Sequence, residues 1–542
     1  MKTSNIIYVG LMAIALSACS DMLDKEPAGA FTADKLNDKS VQGLVAAAYS
    51  GLEAHFFGNN EAFAGPSTNW VFDVRSDDAY KGGGATSMEA NIHQLEISNL
   101  ESRNETNLYK WQNNYYAISR TNQALLAVES SSLANKEALY GELRTLRAWY
   151  YFDLARIFVK FPYIDQYTDA KQERADHFTK DQILDKIEDD LKYGYNHMDA
   201  TSVSAGRINK FVSAAILCKV AAWRSHWADV EKWADAVIES GNYSLYKNFG
   251  DLSKIEFNNT QESIFALQCS TDNDNMHINW SNLLNVTYSE GNLYGNGDDF
   301  FLASQNLVNA FATDADGLPY LDGNSPEVKV GNGQSVDPRL DFTVGRIGMP
   351  WRGYTYNEKW CRAYETYGEY SGKKFLVSPD EPCITKTFPY NTSPLNFIFI
   401  RYADIKLLKA EALIEQNKDL SDALKIVNEV RQRSQASVDP AYTPVDLDPS
   451  KAMYYVGLYQ TNKWTQEYAR KAVRMERRLE LAMEGHRWFD LVRWGNVVDV
   501  MNKYFESEKV LRSHLNDAHM TADEIYLAVP YEEAKNSNGL YD

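Results

Sequence analysis

The chain has 542 residues, 44% hydrophobic and 24% charged, with 55 Lys and Arg against 74 Asp and Glu for a net charge of −19. This is the make-up of a globular protein able to bury a sizeable core, and it excludes a fibrous or disordered class. The acidic balance argues against a nucleic-acid partner and against a body lying flat on an anionic membrane face.

The chain opens with "MKTSNIIYVGLMAIALSAC": one basic residue, Lys2, then an apolar run from Ile6 to Ala18 that ends in small residues. That is a signal peptide, because the run is shorter than the ~20 apolar residues a bilayer-spanning helix needs. "LSAC", Leu16 to Cys19, resembles a bacterial lipobox, which makes Cys19 the acylated first residue of the mature chain. Two or more acyl chains suffice as an anchor where one does not. Residues 1–18 are therefore expected to be the leader and 19–30 a lipidated tether, the membrane being reached through the lipid alone. Cys218, Cys269, Cys361 and Cys383 show no zinc spacing, and the sequence leaves Cys361 and Cys383 open between thiols and a disulfide.

Helical periodicity dominates residues 31–250. Leu108, Trp111, Tyr115, Ile118, Asn122 and Leu125 recur at three and four, as do Leu139, Leu143, Leu146 and Tyr150 after a short Ser-rich turn. Pro162 is expected to stop the second run. "RINKFVSAAILCKVAAW" and "WADVEKWADAVIES" make a further pair, with Ala214, Ala215, Ala221 and Ala234 allowing close approach and Gly241 closing it. Residues 251–394 change character to Gly, Asn, Asp and aromatic residues, read as long ordered loops with short strands. Residues 395–504 return to helix, and "LLKAEALIEQNKDLSDALKIVNEVRQR" has the length and small-residue placement of a degenerate tetratricopeptide unit. The expected fold is predominantly α, a TPR-type helix-turn-helix scaffold carrying an irregular region with few short strands. The parts 31–250 and 251–542 are expected to pack as one globular unit.

"MEGHRWFDLVRWG", Met483 to Gly495, looks catalytic at first sight. As part of a helix from Met475 to Trp494, however, Glu484, Arg487, Asp490 and Arg493 fall at steps of three with alternating sign and pair as neighbours. Glu484 and His486 point to different sides and cannot share a metal or a proton. The stretch is read as scaffold. Elsewhere no H-E-x-x-H, G-x-S-x-G, Walker loop or G-x-G-x-x-G occurs, and "KGGGATS" lacks the groups of a phosphate cradle. No cofactor is expected, although "TDNDN" and "TDADG" are fragments of a calcium loop and leave a structural calcium ion open. Asp77 with Asp78, and Asp298 with Asp299, are adjacent in sequence, whereas glycosidase carboxylates must face each other across a sugar. Solvation or sugar-hydroxyl binding is the better reading of each pair.

The chain is rich in amphipathic rings, with 34 Tyr and 12 Trp against 23 Phe. Such rings stack on the C–H faces of sugars while Asp, Asn and Arg take the hydroxyls. Three loop regions supply both kinds of group: Trp70, Asp73, Arg75, Asp77, Asp78 and Tyr80; Trp280, Asn282, Tyr288 and Tyr294; and Trp351, Arg352, Trp360 and Tyr364, with Tyr354 and Arg362 beside them. These are the candidate ligand-binding residues.

Several blocks resemble the SusD and RagB outer-membrane lipoproteins of Bacteroidota. They are "SDDAYKGGG", "GELRTLRAWYYFDLARIFVKFPYI", "QNLVNAFATDADG", "DPRLDFTV", "IRYADIKLLKAEALIE" and "RRLELAMEGHRWFDLVRWG", in that family's order. The ending "YLAVPYEEAKNSNGLYD" departs from the family's pattern. The resemblance implies a SusD-like fold without enzymatic activity. It implies a lipoprotein of the cell surface that captures oligosaccharide, polysaccharide or peptide nutrients and delivers them to a SusC-like TonB-dependent barrel. Two other readings stay open at this stage: an envelope scaffold binding only proteins or peptides, and a glycoside hydrolase.

Overall fold

A computed structural model describes residues 38–53, 70–271, 285–288, 293–294, 297–384 and 393–541; the side chain of Trp70 is not among the parts described. The leader, Cys19, the tether, Trp280, Asn282 and Asp272 to Asn275 of "TDNDN" lie outside the described residues.

Eleven helices make the scaffold: α1 Asp38–Tyr49, α2 Glu105–Glu129, α3 Lys136–Ile157, α4 Lys180–His197, α5 Lys210–Trp223, α6 Trp227–Ile238, α7 Tyr402–Glu415, α8 Leu420–Ala436, α9 Gln466–Leu481, α10 Arg487–Arg493 and α11 Val497–Glu508. Their ends are set locally. Asn104 accepts from the Asn107 amide at the start of α2, Asn209 accepts from Phe211 and Val212 at α5, and Thr179 with Gln182 forms a capping box at α4. Each helix from α1 to α6 packs against the next, and α6 then meets α7 across a long break in sequence. That order explains why α5 and α7 are buried on nearly every side: each is flanked by helices before and after it. The largest apolar cluster takes residues from both ends of the chain, including Val45, Leu146, Leu307 and Trp488.

The strands are short and paired in place of a broad sheet, most of them between α6 and α7, with β1 before α2 and β10 after α8: β1 Ala79–Gly82, β2 Ser263–Leu267, β3 Phe300–Ala303, β4 Ser335–Val336, β5 Val344–Arg346, β6 Pro350–Trp351, β7 Tyr354–Thr355, β8 Tyr370–Gly372, β9 Phe397–Arg401 and β10 Met453–Tyr454. The pairs β1–β3, β2–β9, β5–β8 and β6–β7 are antiparallel, and β4–β10 is parallel. The fold is thus predominantly α, as the periodicity predicts, and no described helix is long and apolar enough to cross a membrane. Cys361 and Cys383 are both free thiols.

One helical expectation is corrected. Residues 475–494 are not a single helix: α9 ends at Leu481, and Met483 and Gly485 take left-handed backbone before α10 begins at Arg487. The turn persists because the Asp73 carboxylate accepts from the backbone amides of Gly485, at 2.6 Å, and Arg487, at 3.2 Å. Those amides would otherwise be orphaned where the second helix starts.

Candidate functional site

Residues 483–495 sit at the centre of a buried ionic lattice. Arg401, the last residue of β9, donates both arms to Glu484 at 2.9 and 2.8 Å and also reaches Glu262 at 2.8 Å and Glu480 at 2.5 Å. Lys374 pairs with Glu484 as well. Arg493 pairs with Asp490 at 2.8 Å and with Glu411, while Arg477 spans Asp404 and Asp490. Of the expected ladder, Asp490–Arg493 forms within the helix; Glu484 and Arg487 pair with distant parts of the chain instead. Burial, with Lys219 adding to it, pushes His486 down to about 3, so the imidazole is neutral. The cavity beside it is about 30 Å³, room for a water but not a substrate. This cluster holds the fold together, and the space beside it is too small to admit a substrate.

The first group of candidate ligand residues joins the same lattice, and its expected place on a binding surface is corrected. Arg487 grips Asp77 with two bonds of 2.7 and 2.9 Å, and Arg478 reaches Asp77 at 3.1 Å and Asp78 at 2.8 Å. Burial raises the Asp77 carboxyl, but the two guanidiniums outweigh it and hold the group at about 2. Asp73 caps the turn before α10, Arg75 lies over the Trp488 ring at 3.9 Å, and the Tyr80 hydroxyl donates to Glu508. All five are buried. The reading of Asp77 and Asp78 as solvated or sugar-binding is therefore wrong; they are internal counter-ions. A charge leaves water only when paired, and the pairs come from α9 and α10.

The third group is corrected for a different reason. Trp351, Tyr356 and Trp360 pack on one another with ring centroids 5.2 to 6.2 Å apart, forming an aromatic knot with Val286 and Tyr294. The Trp351 indole donates to the Tyr294 hydroxyl at 3.1 Å, which donates in turn to the Val377 carbonyl at 2.8 Å. The polar edges of Trp351 and Tyr294 are thus satisfied inside, and the buried rings form a core and not a rim. Arg352 is buried too, paired with Asp446 at 2.8 Å and donating to the Leu376 carbonyl at 2.9 Å.

Two candidates do face solvent, Tyr288 at 40% exposure and Tyr364 at 38%. Tyr288 meets Arg362 from the third region: the Arg362 guanidinium lies 5.4 Å from its ring and pairs with Asp298 at 2.8 Å. Both charges are partly exposed. The platform is built from below. The Arg362 amide donates to Asp299 at 2.9 Å, Ser371 Oγ donates to the same carboxylate at 3.1 Å, and Gly84 lies so near that a Cβ there would stand 3.3 Å from Arg362 Nε. Asp298 and Asp299 therefore part company, one at the surface and one inside, and cannot flank a glycosidic bond. Burial raises Asp299 to about 7 against the pull of the Arg362 amide and Ser371. An exposed ring with a guanidinium and a carboxylate at its edge can stack on a sugar face and exchange hydrogen bonds with its hydroxyls. Adjacent Asp residues were visible in sequence; the turn that separates them, with Asp299 at φ +57°, was not.

Residues 261–541 match a family profile described as SusD family, and residues 22–221 match one described as starch-binding associating with outer membrane. A SusD-like protein of Bacteroides ovatus is 26% identical, the alignment covering 93% of this chain and 85% of that protein. The SusD-like protein P38 of Formosa agariphila is 24% identical over 92% of this chain and 93% of its own. Among solved structures, a SusD-like carbohydrate binding protein from Bacteroides fragilis superposes with a TM-score of 0.75 at 20% identity, covering 93% of this chain and 99% of that one. The surface glycan-binding protein A from Bacteroides thetaiotaomicron, in complex with laminarihexaose, superposes at 0.67 and 18% identity over 93% and 98%.

Proposed function

From the premise that this chain belongs to the SusD family, we propose that it is a lipoprotein of the outer membrane, anchored through Cys19 and facing outward, that binds carbohydrate without cleaving it. It hands the captured oligosaccharide or polysaccharide to a SusC-like TonB-dependent barrel. The observation that carries the reading is the exposed platform of Tyr288, Arg362 and Asp298, where, among the described residues, ring, cation and carboxylate meet solvent together. The laminarihexaose complex of a structural neighbour supports the ligand class. The short apolar leader ending in "LSAC" supports the anchor.

The test is retention of the mature chain in native gels cast with laminarin, starch, xylan or mannan. At least one polysaccharide should retard it, and Tyr288→Ala combined with Asp298→Ala should weaken that retention about tenfold, the loss of one stacked ring and its polar partner. Undiminished retention would overturn this siting, and passage through every gel would overturn the carbohydrate reading.

A further inference from the structure

A cavity of about 550 Å³ lies away from the platform. It lies between the loop that follows α4, the turn after α6 and the outer side of β2, and it shares no residue with Tyr288, Asp298 or Arg362. Its volume falls within the ~300–1,000 Å³ span of small-molecule sites. The character of its wall says what kind of molecule fits.

The floor is apolar, formed by Val212, Ile264 and Phe265. The sides are hydroxyls and carboxamides. Thr201, Ser204 and Gln261 offer side chains that make no hydrogen bond within the described residues, and all three are exposed to the cavity mouth. A fixed amide wall stands opposite. Asn259 and Gln268 exchange bonds of 2.7 and 3.0 Å, and Asn396 donates to both. Gly206, at φ +80°, presses its backbone onto Gln268 so closely that a Cβ would stand 2.3 Å from Gln268 Cγ. That wall is set before any ligand arrives, which lowers the entropy cost of binding.

The charge balance narrows the class further. The only charged lining residue is Arg207, and its guanidinium is spent on Glu142 through two bonds of 2.7 and 2.9 Å. No net charge faces the cavity, so nothing there would compensate a phosphate, sulfate or carboxylate. An extended peptide adding to the open edge of β2 fits less well, because that edge is already capped: the Ser263 amide donates to the Thr260 carbonyl at 3.0 Å, and Gln268 donates to the Ala266 carbonyl at 3.2 Å.

We propose that this groove is a second binding site, independent of the platform, for an uncharged polyol, a segment of a neutral oligosaccharide. The test titrates the mature chain in detergent with maltohexaose, laminarihexaose, cellohexaose, xylohexaose and mannohexaose, using a background in which Tyr288→Ala and Asp298→Ala have disabled the platform. At least one hexasaccharide should still bind and should slow amide hydrogen exchange across residues 200–206 and 259–264. Adding Ser204→Trp and Gln261→Trp, both at exposed positions, should then lower its affinity by at least about tenfold by filling the cavity. No binding to the platform-disabled chain, protection confined to other segments, or an affinity untouched by the two tryptophans would each overturn the proposal. So would preferential protection of these segments by a sulfated hexasaccharide or by an alanine-rich peptide. Because the platform is absent throughout, none of these results bears on the platform reading.

Discussion

Arg401→Met tests whether the buried lattice is held by its central guanidinium. Arg401 is almost fully buried and serves three carboxylates, Glu262, Glu480 and Glu484, each also buried. Methionine fills most of the volume but strands their charge, and breaking a buried pair by removing one partner costs ~3–5 kcal/mol. With an unfolding entropy of ~2.1 cal/mol/K per residue, a chain of this length loses stability at ~1 kcal/mol per degree, so the expected drop in Tm is ~3–5 °C at pH 7. Burial raises Glu480 and Glu484, but the surrounding cations outweigh it and hold both carboxyls below their ordinary range. Such groups contribute stability above the unfolded carboxyl pKa and lose it as pH falls. Without Arg401 the stranded acids take up protons readily, so the gap between wild type and variant should narrow as pH falls from 7 to 5. Near-UV circular dichroism on heating reads both effects. Adding Glu484→Met should recover part of the loss by removing one stranded charge. A Tm drop of less than ~1 °C, or a gap that does not change with pH, would refute the argument.

Asp299→Asn should reverse the usual penalty for a core substitution. The native carboxyl is raised by burial to about 7, so it keeps a proton that the unfolded chain releases; wild-type stability therefore falls as pH rises from the ordinary carboxylate range to about 7, by roughly 4 kcal/mol at most. Asparagine still accepts from Arg362 N or Ser371, and the variant should be the more stable above pH 7, with a flatter Tm between pH 5 and 7.5; parallel profiles would show that Asp299 does not titrate there. Cys19→Ala should move the protein from the membrane pellet to the soluble fraction after alkaline extraction, and a variant that still pellets would show that the anchor lies elsewhere.

Much of the scaffold was legible because its helices carry apolar residues at three and four, as Leu108 to Leu125 do along α2. Helix α4 was missed: its stripe of Ile183, Leu184, Ile187 and Leu191 is diluted by charge, although Thr179 and Gln182 marked its start. Gly485 allows a local kink after α9, but what stabilises Met483 and Gly485 in left-handed backbone is Asp73, some 400 residues earlier and out of reach of sequence reading. The same distance hid the fate of Asp77 and Asp78. Aspartate is almost never fully buried unless paired, and nothing near them in sequence supplies the pair. The aromatic candidates misled for a subtler reason. Tyr and Trp suit wet surfaces only while their polar edges need water, and Trp351 finds its acceptor in Tyr294.

The grip of Arg478 and Arg487 on Asp77 and Asp78 ties segments about 400 residues apart. Loop closure on that scale is slow, and until it happens the early segment presents bare acids where its interior should be. A chain emerging from its N-terminus cannot finish its first half until all but about the last sixty residues have followed. Until then the early half is unfinished and prone to aggregate. A message truncated after α8 would yield material for proteases, not a smaller working domain.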